Sequence, residues 1–183
     1  VERTVQAGTG ETSSITLLFT SPVDTVDGAL RADTDVVTEV LNTRLTDVVR
    51  EQLGESYSPS AYSYIRNDPD PVVETYVYIT GAPDRIDAVG DLAIGEFADL
   101  AANGPTDREF DGALAQVRED YGFISNEGFI EELVSDAIWP SRSIDEYVDE
   151  YLALDDVSTG TVQAFIARHV PADHYVSVSV VPR

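Results

Sequence analysis

SYSPSAYSYIR (Ser56–Arg66), NDPDP (Asn67–Pro71) and VVETYVYIT (Val72–Thr80) follow one another without a break, and together they decide the fold class. The third piece alternates. Val73, Thr75, Val77 and Ile79 point one way, and Glu74, Tyr76 and Tyr78 the other. A period of two with one apolar side is the pattern of a strand buried on one face. The first piece is rich in tyrosine and serine and reads as a second strand. The middle piece, with two prolines among polar residues, is a turn. The three predict an antiparallel hairpin with one face to cover.

Helices on either side supply the cover. Upstream, Val37, Leu41, Leu45, Val48 and Val49 recur at helical spacing from Asp33 to Leu53, and Gly54 stops the run. Before that, SITLLFT (Ser14–Thr20) is an apolar run closed by Ser21-Pro22, a strand. Downstream, Pro83 to Ala102 carries Ile86, Val89, Ala93, Phe97 and Leu100 on one stripe, and Gly104-Pro105 ends it. Thr106-x-x-Glu109 is a capping box, in which hydroxyl and carboxylate satisfy the free amides of a helix start. The helix it opens carries Phe110, Leu114, Val117 and Tyr121. A further helix is predicted near Phe129 to Trp139, ending at Pro140. Ser143-x-x-Glu146 opens another, through Leu154, and the next contains Val162, Phe165 and Ile166. YVSVSVV (Tyr175–Val181) alternates again as a closing strand. Strands gathered together with helices segregated from them predict an α+β fold: an antiparallel sheet with helices packed on one face, as a single domain over residues 1–183.

Composition narrows the function classes. The 183 residues include 43% hydrophobic and 25% charged residues, ordinary for a globular protein able to bury a core. The formal net charge is -23, and all 11 cationic residues are arginine. Such a field repels phosphate backbones and anionic headgroups, so nucleic acid and membrane surfaces are set aside as partners. The acidic residues are dispersed, the pattern of a solvated surface. With no cysteine there is no disulfide, thiolate metal site or cysteine nucleophile. The chain opens on Val1-Glu2-Arg3 and reads as a piece of a longer polypeptide.

No catalytic constellation stands out. The two histidines, His169 and His174, have no glutamate beside them, and a hydrolytic zinc site needs three or four converging ligands. His169 is expected at a helix end, capping it or simply exposed. Gly-x-Ser-x-Gly is absent, and Gly8-Thr-Gly10 lacks the lysine of a phosphate loop. Glu131-Glu132, Asp155-Asp156 and Asp68/Asp70 read as solvated faces or turns. One segment differs: LNTRLTDVVREQLGESYS (Leu41–Ser58) runs an amphipathic helix through Gly54 into a strand. Arg50 sits in the last helical turn and Tyr57 at the strand start, and a reversal at Gly54 can bring them together. A guanidinium fork and a phenol could bind the carbonyls of an extended peptide or a developing oxyanion. Equally, Arg50 could cap the helix and Tyr57 pack at the sheet edge.

Leu45-x-x-x-Val49-Arg50-Glu51-x-Leu53-Gly54-x-x-Tyr57-Ser58 resembles a stretch of the pitrilysin/insulinase family of zinc metallopeptidases. The resemblance extends along nearly the whole chain, through Thr12–Thr20, Pro71–Pro83, Gly104-Pro-Thr-x-x-Glu109-Phe110, Ser125-Asn-Glu-Gly-Phe129 and the valine-rich end. It is most like the last domain of the large bacterial zinc-protease branch. The resemblance implies a sandwich that pairs with a like-folded, zinc-binding N-terminal half, in the same chain or a partner subunit, to enclose a peptide substrate. It implies that the zinc and the catalytic groups belong to that other half, leaving this domain without cofactor or catalytic residue. It also implies substrate-binding roles for Arg50 and Tyr57, with Tyr57 at the carbonyl oxygen and Arg50 on the adjacent backbone. The alternative is an inactive homologue that serves as a scaffold.

Overall fold

Alternation along the predicted hairpin is realised in three dimensions, and it sets the geometry of everything around it. The structure, a computed structural model, describes residues 1–53, 58–122 and 143–183. Five strands, β1 (Glu2–Gln6), β2 (Ser13–Pro22), β3 (Ser58–Arg66), β4 (Val72–Gly81) and β5 (Val176–Val181), form one sheet in the order β1-β5-β2-β4-β3. The described helices are α1 (Gly28–Leu53), α2 (Ile86–Asn103), α3 (Asp107–Gly122), α4 (Ile144–Ala153) and α5 (Thr159–His169). The helix expected near Phe129–Trp139 lies outside the described residues.

The expected α+β class holds, with one addition to the sheet. β5, β2, β4 and β3 pair antiparallel, as predicted, but β1 joins β5 in parallel. All five β1 residues are exposed, so no apolar alternation marks them as a strand. α1 also begins earlier than expected. Asp27 Oδ1 accepts from the Leu30 amide at 2.9 Å, the pattern of a capping residue. Asp33, the start suggested by sequence, instead sits inside the helix and accepts from the Thr161 hydroxyl of α5 at 2.7 Å. The two predicted capping boxes are formed, at Thr106/Glu109 and Ser143/Glu146. No described helix is long and apolar enough to cross a membrane.

The core lies between the sheet and the helices. From the sheet come Ile15, Leu17 and Phe19 of β2 and Val73, Val77 and Ile79 of β4. The helices answer with Val36, Val40, Leu41 and Leu45 of α1, and with Ile86, Val89, Ala93, Phe97 and Leu100 of α2. Phe19 and Phe97 meet edge to face at 6.0 Å, a favoured aromatic geometry. α1 also closes the free edge of β3. Asn42 Nδ2 donates to the Ala61 carbonyl (2.9 Å), while its Oδ1 accepts from the Ala61 amide (2.7 Å). The Ser63 amide donates to Thr38 Oγ1 (3.1 Å). These are backbone groups a neighbouring strand would otherwise satisfy.

One ion-pair cluster ties three helices together. Arg44 of α1 donates through Nε and Nη2 to both carboxylate oxygens of Glu109 on α3, and through Nη1 to Glu96 (3.1 Å) and Asp99 (2.9 Å) of α2. Burial opposes ionisation of Glu109. The Arg44 guanidinium and the Thr106 amide and hydroxyl outweigh it and hold the carboxyl at about 2. Its folded value is therefore below its unfolded one, so the stabilisation is present above about 4.5 and lost as pH falls toward 2. Arg44→Ala leaves the buried carboxylate without its partner and should cost about 2–3 kcal/mol in urea unfolding at neutral pH. The variant should also show a shallower loss of stability between those two pH values. Equal stability of variant and parent would show that the cluster contributes nothing.

Candidate functional site

The two faces of the sheet are not equivalent. Ser177 and Ser179 of β5 point into the helix side and are buried, while Val176, Val178 and Val180 alternate to the opposite face. That reverses the usual arrangement of apolar residues inward and polar residues outward. The other strands add aromatic residues to the same outer face. By register, Tyr62, Tyr76, Leu18 and Val176 form one row across β3, β4, β2 and β5. Tyr62 stacks on Tyr64 at 5.6 Å, and Tyr64 on Tyr76 at 6.0 Å with planes 5° apart. Tyr62 is 62% exposed and Tyr78 46%, and no described helix covers them.

A polar group is held within this aromatic surface. Tyr64 donates its hydroxyl to Glu74 Oε2 at 2.5 Å, and Arg66 Nε donates to Glu74 Oε1 at 2.9 Å. These two hydrogen bonds, that of Tyr64 foremost, lower the Glu74 carboxyl below its ordinary range. The same bond raises the Tyr64 phenol, which stays protonated. The face thus offers flat rings, one fixed carboxylate and one guanidinium. Such a surface suits an extended peptide, whose side chains lie on rings and whose amides find polar groups.

Arg50 and Tyr57 flank the junction between α1 and β3. The Arg50 backbone lies in the last turn of α1, the position expected; its side chain, and all of Tyr57, lie outside the described residues. Glu131-Glu132 and Ser125–Phe129 do so as well. His169 corrects an expectation. It is 3% exposed, packed against the Phe165 ring at 4.7 Å, and its Nδ1 has no hydrogen-bond partner among the described residues. Burial, with the Arg168 charge adding to it, lowers its pKa to about 4, so the neutral ring draws no benefit from the helix dipole. His174 is exposed in the turn before β5. Among the described residues no three His, Asp or Glu side chains converge as metal ligands do.

A five-stranded sheet covered by helices on one face and lined with aromatics on the other is the half-sandwich of the pitrilysin-type metallopeptidases. Residues 4–117 match the peptidase M16 inactive domain, and the chain belongs to that family. The non-catalytic C-terminal type implied by the sequence resemblance agrees with this match. No curated protein sequence matches the chain. Solved structures share its fold. The periplasmic protease PqqL from Escherichia coli superposes with a TM-score of 0.77 at 18% identity, covering 100% of this chain and 20% of its own. A peptidase M16 inactive domain from Pseudomonas fluorescens gives 0.76 at 20% identity, covering 100% and 43%. A protease from Helicobacter pylori gives 0.80 at 13% identity, covering 99% and 44%. The chain therefore spans a fifth to less than half the length of these proteins.

The buried imidazole of His169 makes stability depend on pH. Its folded pKa lies below the ordinary 6.5, so the unfolded chain takes up the proton first. Stability is full above about 6.5 and falls as pH drops toward 4. Thermal unfolding should show a midpoint several degrees lower at about pH 5 than at about pH 7.5, and His169→Gln should flatten that difference. A parent profile that is level across this interval would contradict the buried neutral state.

Proposed function

We propose that this chain is the substrate-binding, chamber-closing half of a zinc-dependent metalloendopeptidase, and that the zinc is carried by a like-folded N-terminal half in the same chain or a partner subunit. The observation that carries the reading is the outward-facing surface of the sheet. A protein that turns valines and stacked tyrosines outward while burying serines has a face suited to being covered. Membership of the M16 inactive-domain family supports a like-folded half as the cover, with a peptide between the two. In this reading the other half activates the water that attacks the scissile amide. Arg50 anchors the peptide backbone, and Tyr57 donates to the carbonyl oxygen as negative charge develops on it. Tyr62 and Tyr76 form the floor on which neighbouring side chains rest.

The test is cleavage of an unstructured peptide panel by the full-length protein that carries this domain. Activity should be abolished by a chelator and restored by zinc. Tyr57→Phe and Arg50→Ala, while folded, should each lower kcat/KM about a hundredfold. Tyr62→Ala with Tyr76→Ala should raise KM several-fold. If the Arg50 and Tyr57 variants match the parent, their assigned roles are wrong. If the folded, metal-replete protein cleaves nothing in the panel, the domain is a scaffold.

A further inference from the structure

Of the four asparagines in the chain, Asn103 alone is followed by glycine. An asparagine in that setting can lose its side-chain amide without an enzyme, because the glycine nitrogen, with no Cβ beside it, can approach the asparagine Cγ closely. Where the fold places the pair decides whether this happens. Asn103 is the last residue of α2 and is exposed. Gly104 follows in the left-handed region at φ 77°, a helix-ending conformation that favours glycine.

Three sets of hydrogen bonds hold this last turn closed. The Gly104 amide, whose nitrogen would attack, donates to the Leu100 carbonyl at 2.9 Å. Asn103 Nδ2, the group that would leave, donates to Asp99 Oδ1 at 2.7 Å. From α5, Gln163 Nε2 donates to the carbonyls of Ala101 (3.2 Å) and Ala102 (2.8 Å), groups that a helix end leaves without intrahelical partners. Ring closure needs the Gly104 nitrogen to give up its proton and the Asn103 backbone to leave the helical range, so the closed turn opposes it twice.

We infer that Asn103–Gly104 is a site of spontaneous deamidation, held shut in the folded chain by the contact of α5 with the end of α2 and released when that turn opens. The Gly104 nitrogen bonds to Asn103 Cγ and yields its proton to solvent. The Cγ–Nδ2 bond breaks, and Nδ2 leaves as ammonia with a proton taken from solvent. Water then adds to one of the two carbonyls of the cyclic imide and breaks the bond from that carbonyl to nitrogen, which regains its proton. The product is aspartate or isoaspartate, and the sum is amide plus water to carboxylate plus ammonium.

That product does not fit the closed turn. The new carboxylate meets Asp99 one helical turn away, acceptor against acceptor and charge against charge, at the negative end of α2. Asp99 also accepts from Arg44 Nη1 at 2.9 Å, the guanidinium that joins α1, α2 and α3. Modification therefore acts on the ion-pair cluster through one carboxylate. Water does not restore the amide, so a turn that has opened long enough to react closes less well afterwards. None of this rests on the proposed peptidase role.

The experiment follows the tryptic peptide Ile86–Arg108 of the full-length protein by mass spectrometry, during incubation in mildly alkaline buffer with and without urea. Exchange of amide for acid should accumulate about tenfold more slowly in buffer than in urea, since it requires local opening. Gln163→Ala should raise the rate in buffer several-fold and leave the rate in urea unchanged. Asn103→Gln, whose longer side chain closes a less favourable ring, should show no exchange in either. Asn103→Asp, which has the charge of the product, should lower the thermal midpoint by about 2–4 °C. No exchange in urea overturns the site. Equal rates for the parent in buffer and in urea overturn its protection by the fold. A folded Gln163→Ala protein with the parent's rate in buffer removes α5 from that protection, and an unchanged midpoint for Asn103→Asp overturns the link to Arg44.

Discussion

Apolar side chains of α1, from Ala32 through Val36, Val40, Leu41 and Leu45 to Val49, leave water against the inner face of the sheet. Each buries at least a methyl group, and the stripe as a whole holds the longest helix in place. The other elements depend on this contact. With α1 down on the strands, Asn42 reaches Ala61 and fixes the position of β3. Arg44 follows two residues later and reaches toward the neighbouring helices instead. There it gathers Glu96 and Asp99 from α2 and Glu109 from α3. One helix thus packs, registers and crosslinks the domain.

One-sided cover has a functional counterpart. The described helices that pack into the core do so from the inner side, and none of them covers the outer side. The closing strand makes this plain, since its valines face outward although an inner face was available to them. A lone domain gains nothing from that arrangement, whereas one that is covered by a second body gains the burial of those valines and tyrosines. The inner side fails to be covered at its far end as well, but there the exposed groups are serine hydroxyls and carboxylates. The two uncovered regions therefore differ in chemistry, one carrying tyrosine rings and valines and the other polar groups.

Much of this is legible in the sequence. The hairpin is, because β4 has an apolar side and a polar side; α2 is, because Ile86, Val89, Ala93, Phe97 and Leu100 share a stripe and all are buried. β1 is not, because a strand exposed along its whole length carries no periodic signal. The start of α1 is ambiguous because Asp27 and Asp33 are both credible caps, and only the Thr161 contact shows what the second does. Tyr175–Val181 reads as a strand, but alternation alone does not say which side faces in, so its buried serines are invisible. Sequence places His169 outside because polar residues near helix ends usually are; packing against Phe165 draws it in. Arg50 and Tyr57 stand out by spacing and by family resemblance, and neither signal requires a fold.

The hydrogen bonds from Asn42 and Thr38 to β3 do more than set register. A sheet edge is a template: any extended chain that meets it can add a strand and offer a new edge in turn, which is how aggregates propagate. Here the β3 side is terminated by helix side chains, and Pro59 contributes no amide to it. Growth by strand addition is thereby confined to the β1 side. The sheet is polar in this sense, with a stopped end and a growing end, and a molecule that can be extended from one end only cannot stack edge to edge with copies of itself into an unlimited fibre.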